Sequence, residues 1–406
     1  MEKKTKKKIK WVKKRHGFVR KLVAFFIQPY SRIKYGLRVE KLREGRDRQY
    51  LVLYNHQTAF DQFFVGIPFK KVLYYVASED LFSNGFVSKL IKFLVNPIPI
   101  KKQSTDVRAV MTCIKVASEG GSIAIAPEGN RTYSGRTGYM NPAIAPLARK
   151  LGLPIAFVKI EGGYGTHPRW SDVVRKGRTV CRVSRIMEPT EYKDITDEEL
   201  NEVINKELYV NEANSEGIFR HKKRAEYLER AVYVCPKCAL SKFESEGDTV
   251  RCTKCGLTVK YGENKELQCD DESFGFRYFA DWYEYQQKTV LSLDLSVYFD
   301  KPVYTDSASL REVIPYTKKL SVYSQAEILL YSNRIVAKEG DSVREYHFDD
   351  ISSLAILGKN KLNVYVGKQI FQLKGNKRFN ALKYLHILHW YQKTKGENYG
   401  KRTLAI

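Results

Sequence analysis

A histidine and an aspartate stand five residues apart in Asn55-His56-Gln57-Thr58-Ala59-Phe60-Asp61, directly after the apolar run Tyr50 to Tyr54. Sites in α/β proteins gather at strand ends. If a helix begins near Thr58, the Asp61 carboxylate can accept an N–H from one imidazole nitrogen of His56, and the other nitrogen stays basic. A histidine so oriented can take a proton from an attacking hydroxyl near neutral pH. Alone, the pair also fits a structural histidine. A second group, Ala126-Pro127-Glu128-Gly129-Asn130-Arg131-Thr132, again ends an apolar run, Ser122 to Ala126. Gly129 permits a tight turn, and Arg131 offers a planar fork for phosphate. The third group is Cys235-Pro-Lys-Cys238 and Cys252-Thr-Lys-Cys255. Four thiolates at this spacing suit tetrahedral zinc with no open position, hence a structural Zn2+ in a zinc ribbon.

Taken together, the first two groups resemble the 1-acylglycerol-3-phosphate acyltransferase family, whose motifs read Asn-His-x-x-x-x-Asp and Phe-Pro-Glu-Gly-Thr-Arg-Ser. The resemblance covers about residues 30 to 215. It implies that His56 is the general base and Asp61 its orienting partner. Glu128 and Arg131 would hold the polar head of the acceptor with Gly129 shaping the loop, and Asn55 and Lys101 would join the substrate-binding set. Pro97 to Lys101 looks like the family's second motif and Leu153-Pro154-Ile155 like its fourth. Ala126 replaces Phe, Asn130 and Thr132 replace Thr and Ser, and Lys101 stands where Arg is usual. A lysine gives up bidentate phosphate geometry. The implied reaction moves a fatty acyl group from acyl-carrier protein or acyl-CoA to a lysophospholipid hydroxyl, with 1-acylglycerol-3-phosphate giving phosphatidic acid. No catalytic cofactor is implied. The reading from a different class is a catalytically silent adaptor working through the ribbon and the C-terminal domain.

To position these groups, the chain needs strands whose ends lie side by side. From about 48 to 190, within a catalytic domain expected over 48–215, short apolar strands alternate with helical patterns, an α/β rhythm. Strands are expected at Tyr50 to Tyr54, Val72 to Ala77, Ile98 to Lys101, Ser122 to Ala126, Pro154 to Ile160 and Val180 to Ile186. Thr105 or Asp106 can cap a helix running to Gly120, and a second helix spans Pro142 to Lys150. Thr196 and Glu199 form a capping-box pattern. A charged helix near Lys222 to Arg230 makes 216–232 a helical linker. The ribbon takes 233–262, and 263–289 reads as a linker or short docking segment. Residues 290–396 carry short strand-like runs closed by a helix from Asn380 to Lys393, a texture like that of a mainly-β pleckstrin-homology-like barrel. Lys359, Lys361, Lys374, Lys377 and Arg378 would then form either a lipid-phosphate surface or a solvated rim.

The formal charge of +25 is concentrated at one end, because residues 1–49 hold 18 Lys and Arg against 4 Asp and Glu. Such a block meets nucleic acid or an anionic bilayer. Phe18 to Tyr35 interleaves Phe18, Val19, Leu22, Val23, Phe25, Phe26 and Ile27 with basic residues, which reads as an interfacial amphipathic helix and makes 1–47 a membrane-surface segment. Nucleic acid is the less favoured partner. The apolar runs fall short of the ~20 residues needed to span a bilayer. With seven cysteines, four of them in Cys-x-x-Cys pairs, the chain fits a reducing compartment. Together these place the protein on the cytoplasmic face of a membrane.

Overall fold

The computed structural model describes residues 10–101 and 106–396. Thr105 and the lysines of residues 3–8 lie outside them. The chain opens with helix α1 (Lys14–Tyr35), ended by Gly36 in the left-handed region. Seven strands then form the first sheet: β1 (Leu37–Val39), β2 (Leu51–Tyr54), β3 (Leu73–Ser78), β4 (Ile98–Ile100), β5 (Ser122–Ile125), β6 (Ile155–Glu161) and β7 (Thr179–Met187). Their order is β1-β7-β6-β2-β5-β3-β4, parallel except between β6 and β7. The adjacent central strands β2 and β5 are buried at every position, as a covered parallel sheet requires.

The covering helices are α2 (Asp61–Val65), α3 (Phe86–Leu94), α4 (Val107–Ser118), α5 (Ile144–Leu151), α6 (Gly163–Thr166), α7 (Pro189–Tyr192) and α8 (Asp197–Leu208). Asp106 caps α4 by accepting from the backbone N–H groups of Arg108 and Ala109. Thr196 and Glu199 close the capping box of α8. The sheet starts at Leu37, so the surface segment of 1–47 contributes an edge strand, paired to β7 from Leu37 to Val39.

Two further expectations are corrected. Residues 222–230 form turns and a short 3-10 segment, Leu228–Arg230, instead of a charged helix. Their backbone donors are drawn to the ribbon: Ala225 N–H bonds Gly247 O, and Tyr227 N–H bonds Ser245 Oγ. Tyr227 itself adopts a positive φ of 73°. The stretch 263–289 is no loose linker. Leu267–Gln268 adds a strand to the ribbon sheet, and a helix begins at Phe279, with Trp282 fully buried in the core. The alternating acidic and aromatic residues hid that helix, because its buried positions mix Phe279 and Trp282 with Ala280, Val290 and the amide of Gln286.

The ribbon comprises β8 (Val234–Cys235), β9 (Ala239–Leu240), β10 (Phe243–Glu246), β11 (Thr249–Cys252), β12 (Thr258–Tyr261) and β13 (Leu267–Gln268), followed by α9 (Phe279–Ser292). The last unit is an antiparallel sheet of β14 (Tyr304–Ile314), β15 (Lys318–Leu330), β16 (Arg334–Glu339), β17 (Ser342–His347), β18 (Ile351–Leu357), β19 (Lys361–Val366) and β20 (Gln369–Gly375). Its order is β17-β16-β15-β14-β20-β19-β18, and α10 (Leu382–Thr394) closes it. One apolar cluster runs from Tyr164 and Trp170 of the first unit through Val234 and Val259 of the ribbon to Leu354, Phe371 and Trp390.

Of the basic residues named above, two are tied down, while Lys374 and Lys377 stay exposed. Lys359 pairs with Asp172 at 2.8 Å, and Arg378 bonds Glu229. On the opposite side Lys319 reaches Asp80 at 2.6 Å and Tyr365 donates to Glu79 at 2.6 Å.

Candidate active site and metal centre

Because β2 and β5 are adjacent parallel strands, pairing Leu51 with Ile123 and Leu53 with Ile125, the loops that follow them emerge side by side. The two motifs, distant in sequence, are thereby clasped. Glu128 Oε1 accepts the His56 backbone N–H at 2.8 Å, and Thr132 N–H donates to His56 O at 3.1 Å. Gly129 turns this loop at a φ of 66°.

Asp61 is fully buried and heads α2, slightly later than the helix start expected at Thr58. It accepts from Gln57 N–H at 2.6 Å, Thr58 N–H at 2.9 Å and Thr58 Oγ1 at 2.7 Å, and it lies 2.7 Å from His56 Nδ1. The carboxylate faces Nδ1 as an acceptor, so Nδ1 carries the proton and donates. His56 Nε2 is then the basic nitrogen. Burial pushes the His56 pKa below its ordinary value; Arg131 and Arg169 act in the same direction, while Asp61 opposes them.

His56 lines a cavity of about 720 Å³ that runs between the sheet edge and α1, with Val23, Ile27, Val76, Ile91 and Ile125 among its apolar walls. Gly129, Asn130 and Arg131 border it, and Lys101 stands at its exposed rim. Arg131 Nη1 is buried with no hydrogen-bond partner. Burial, with Arg169 adding to it, pushes the Arg131 pKa down to about 10, so the guanidinium remains charged at neutral pH. This is a positive group held beside the histidine and suited to an anionic substrate.

Two residues of the expected substrate-binding set face elsewhere. The Asn55 side chain is fully buried and bridges to β6, donating to Ile160 O at 2.8 Å and accepting from Ile160 N–H at 2.7 Å. Glu128 spends its second oxygen on Gly138 N–H at 2.8 Å. Burial pushes its carboxyl up to about 8, against the pull of the two backbone donors. Both side chains therefore position the loops. Arg169 was not visible in the sequence as a site residue. It donates to Arg131 O at 3.0 Å and Ile356 O at 2.9 Å and lies over the Tyr133 ring. Nothing in the spacing of His167-Pro168-Arg169-Trp170 marks it, since its partners come from the loop after β5 and from β18.

The four cysteines converge. Cys235, Cys238, Cys252 and Cys255 hold their sulfurs within 4.8 Å of one another, with Cys235 and Cys255 3.5 Å apart and Cys238 and Cys252 3.6 Å apart. Four thiolates so close can hold a metal ion, and the separations match a tetrahedron with metal–sulfur bonds of roughly 2.3 Å. Cys113 and Cys181 are buried in the first unit, apart from this cluster. Among the described residues no helix is long and apolar enough to cross a membrane.

Residues 36–161 match the family model described as Acyltransferase. Comparison with curated proteins gives no match. Among solved structures, the 1-acyl-sn-glycerophosphate (LPA) acyltransferase PlsC from Thermotoga maritima is similar at 23% identity and a TM-score of 0.39, over 46% of this chain and 77% of that one. The segment that is similar to the acyltransferase family, residues 36–161, holds both the His56 and the Glu128 motif.

Proposed function

We propose that the protein transfers a fatty acyl group from a thioester donor, acyl-carrier protein or acyl-CoA, to the free hydroxyl of a lysophospholipid at a membrane surface. The observation that carries this reading is His56, oriented by buried Asp61, lining the same apolar cavity as Arg131, whose buried Nη1 has no hydrogen-bond partner. His56 Nε2 takes the hydroxyl proton as the oxygen attacks the thioester carbonyl. The tetrahedral intermediate collapses, the C–S bond breaks, and the imidazolium returns the proton to the departing thiolate. Asp61 fixes the tautomer, Asn55 and Glu128 position the loops, and Arg131 holds the acceptor phosphate. A phosphate monoester such as 1-acylglycerol-3-phosphate is the smallest acceptor meeting these demands. The apolar walls beyond His56 suit an acyl chain.

The surface supports membrane docking. Phe25 is 73% exposed on α1 and Phe86 78% exposed on α3, and Arg15 links the two helices by bonding Phe93 O. Other residues of α1, Val23 and Ile27, line the cavity, so a lipid in the bilayer would have a short path to His56. The four cysteines hold a structural zinc, and the last unit is a pleckstrin-homology-like domain with 48–215 as the catalytic unit. The test is acyl transfer to a panel of lysophospholipids from both donors, with wild type and His56→Ala side by side. Transfer that disappears in a folded mutant supports the reading. No transfer by the wild type from either donor points to the silent adaptor instead.

A further inference from the structure

The open space around Arg131 continues past the catalytic cavity. Behind the Glu128–Arg131 loop lies a second cavity of about 420 Å³, bounded by residues 132–139 on one side and by Tyr283, Gln287, Leu354 and Leu385 on the other. Arg131 and Arg169 line both cavities. The second chamber exists only because α9, β18 and α10 close over the loop, and its size falls in the range of small-molecule sites, roughly 300–1,000 Å³.

Its lining lacks a partner. Arg131 Nη1 and the Tyr133 hydroxyl are both buried with nothing to bond, and Tyr133 is only 7% exposed. Buried donors in native proteins are nearly always satisfied, so two orphans on one cavity point to an oxygen-rich occupant. The charge sharpens this. Arg136 is neutralised by Asp281 and Glu284, whereas Arg169 spends its donors on carbonyl oxygens, and neither Arg131 nor Arg169 has a carboxylate partner among the described residues. An anion belongs where the two chambers meet. Beyond it, Tyr133, Ser134 and Gln287 offer hydroxyl and amide groups.

We infer that the second chamber takes the distal part of the acceptor's head group, so that the preferred acceptor is a lysophospholipid whose phosphate is a diester to a polyol. This deepens the acyl-transfer reading and rests on it. The acceptor hydroxyl lies at His56, the phosphate at Arg131 and Arg169, and the polyol against Tyr133 and Gln287. A bare phosphate monoester leaves the chamber empty and Tyr133 unpaired.

Binding of water-soluble head groups tests the inference without relying on turnover. Calorimetric titration of the full chain with glycerophosphoglycerol and with glycerol 3-phosphate should show the diester binding at least tenfold more tightly. Gln287→Trp, which fills the chamber from a half-exposed position on α9, should bring the two within about threefold at an unchanged melting temperature. Tyr133→Phe, which removes only the orphan hydroxyl, should weaken the diester alone by threefold or more and serves if the tryptophan variant does not fold. Equal or tighter binding of the monoester by the wild type overturns the inference, as does a diester advantage that survives both substitutions. Absent acyl transfer with the diester preference intact would instead count against the reaction, not against the chamber.

Discussion

At the scale of single residues, the site works by giving each polar group one job. Asp61 takes four donors and fixes the histidine tautomer, leaving Nε2 without a proton and, on the proposed reaction, as the base. His56→Ala should therefore lose nearly all acyl transfer while keeping its melting temperature, and comparable turnover in a folded mutant would remove the assignment. The pH profile follows from the same environment. A base must be unprotonated, and burial moves the His56 pKa below 6.5. The acid limb of kcat/KM should then fall at a midpoint below pH 6.5, with the rate lost as pH drops through it; a midpoint above about 7 would contradict the buried histidine. Arg131→Ala should act differently, raising the acceptor KM tenfold or more with a smaller change in kcat, because a phosphate contact is made in ground and transition states alike. An unchanged KM in steady-state kinetics would count against that contact. The motifs that hold His56, Asp61, Gly129 and Arg131 stood out in the sequence because their spacing is a property of neighbouring residues. The work of Asn55 did not, since its partner, Ile160, belongs to a strand that only the sheet brings near.

At the scale of elements, helix α1 packs on the first unit through some residues and leaves large apolar side chains exposed on others. Its buried His16 bonds Tyr74 at 2.9 Å, while Phe18, Phe25 and Phe26 remain exposed. Burying a Phe side chain is worth roughly 2 kcal/mol. Replacing Phe25 and Phe26 together by Asp should thus cut co-sedimentation with phosphatidylglycerol vesicles by more than tenfold at an unchanged melting temperature. Equal sedimentation would exclude α1 as the docking element. The apolar face of α3 was missed in the sequence because residues 86–95 form a short run that could equally have packed inward. The misread helix near 222–230 and the overlooked α9 share one cause: hydrogen bonds and aromatic packing from the ribbon, absent from any local pattern, decide both.

At the scale of the whole molecule, the units are less separable than a chain of modules would be. Arg230 pairs with Asp172 at 2.7 Å and bonds Lys377 O, joining the first unit, the 3-10 turn and the last sheet. The four cysteines sit inside the same apolar cluster as Trp170 and Trp390. Metal removal should accordingly destabilise more than the ribbon. Chelation is expected to release one metal ion per chain and to lower the melting temperature, with loss of acyl transfer following the unfolding. A chelated protein with an unchanged melting curve would show the cysteines to be structurally idle. Truncation after residue 215 should yield an insoluble or molten product by circular dichroism and gel filtration, because Tyr164 and Trp170 lose the core that covers them.

What the sequence determined by itself was whatever short-range chemistry encodes: the paired motifs at strand ends, the cysteine spacing, the α/β rhythm before residue 215 and the strand-rich texture after 290. Periodicity and ligand spacing are properties of neighbouring residues and survive without a fold. Tertiary structure alone decided that Arg169 meets Arg131, that Ile356 and Gly358 at the end of β18 help wall the His56 cavity, and that Lys359 and Arg378 pair with Asp172 and Glu229. Those contacts join residues far apart in the chain, and only the packing of one unit against another brings them within bonding distance.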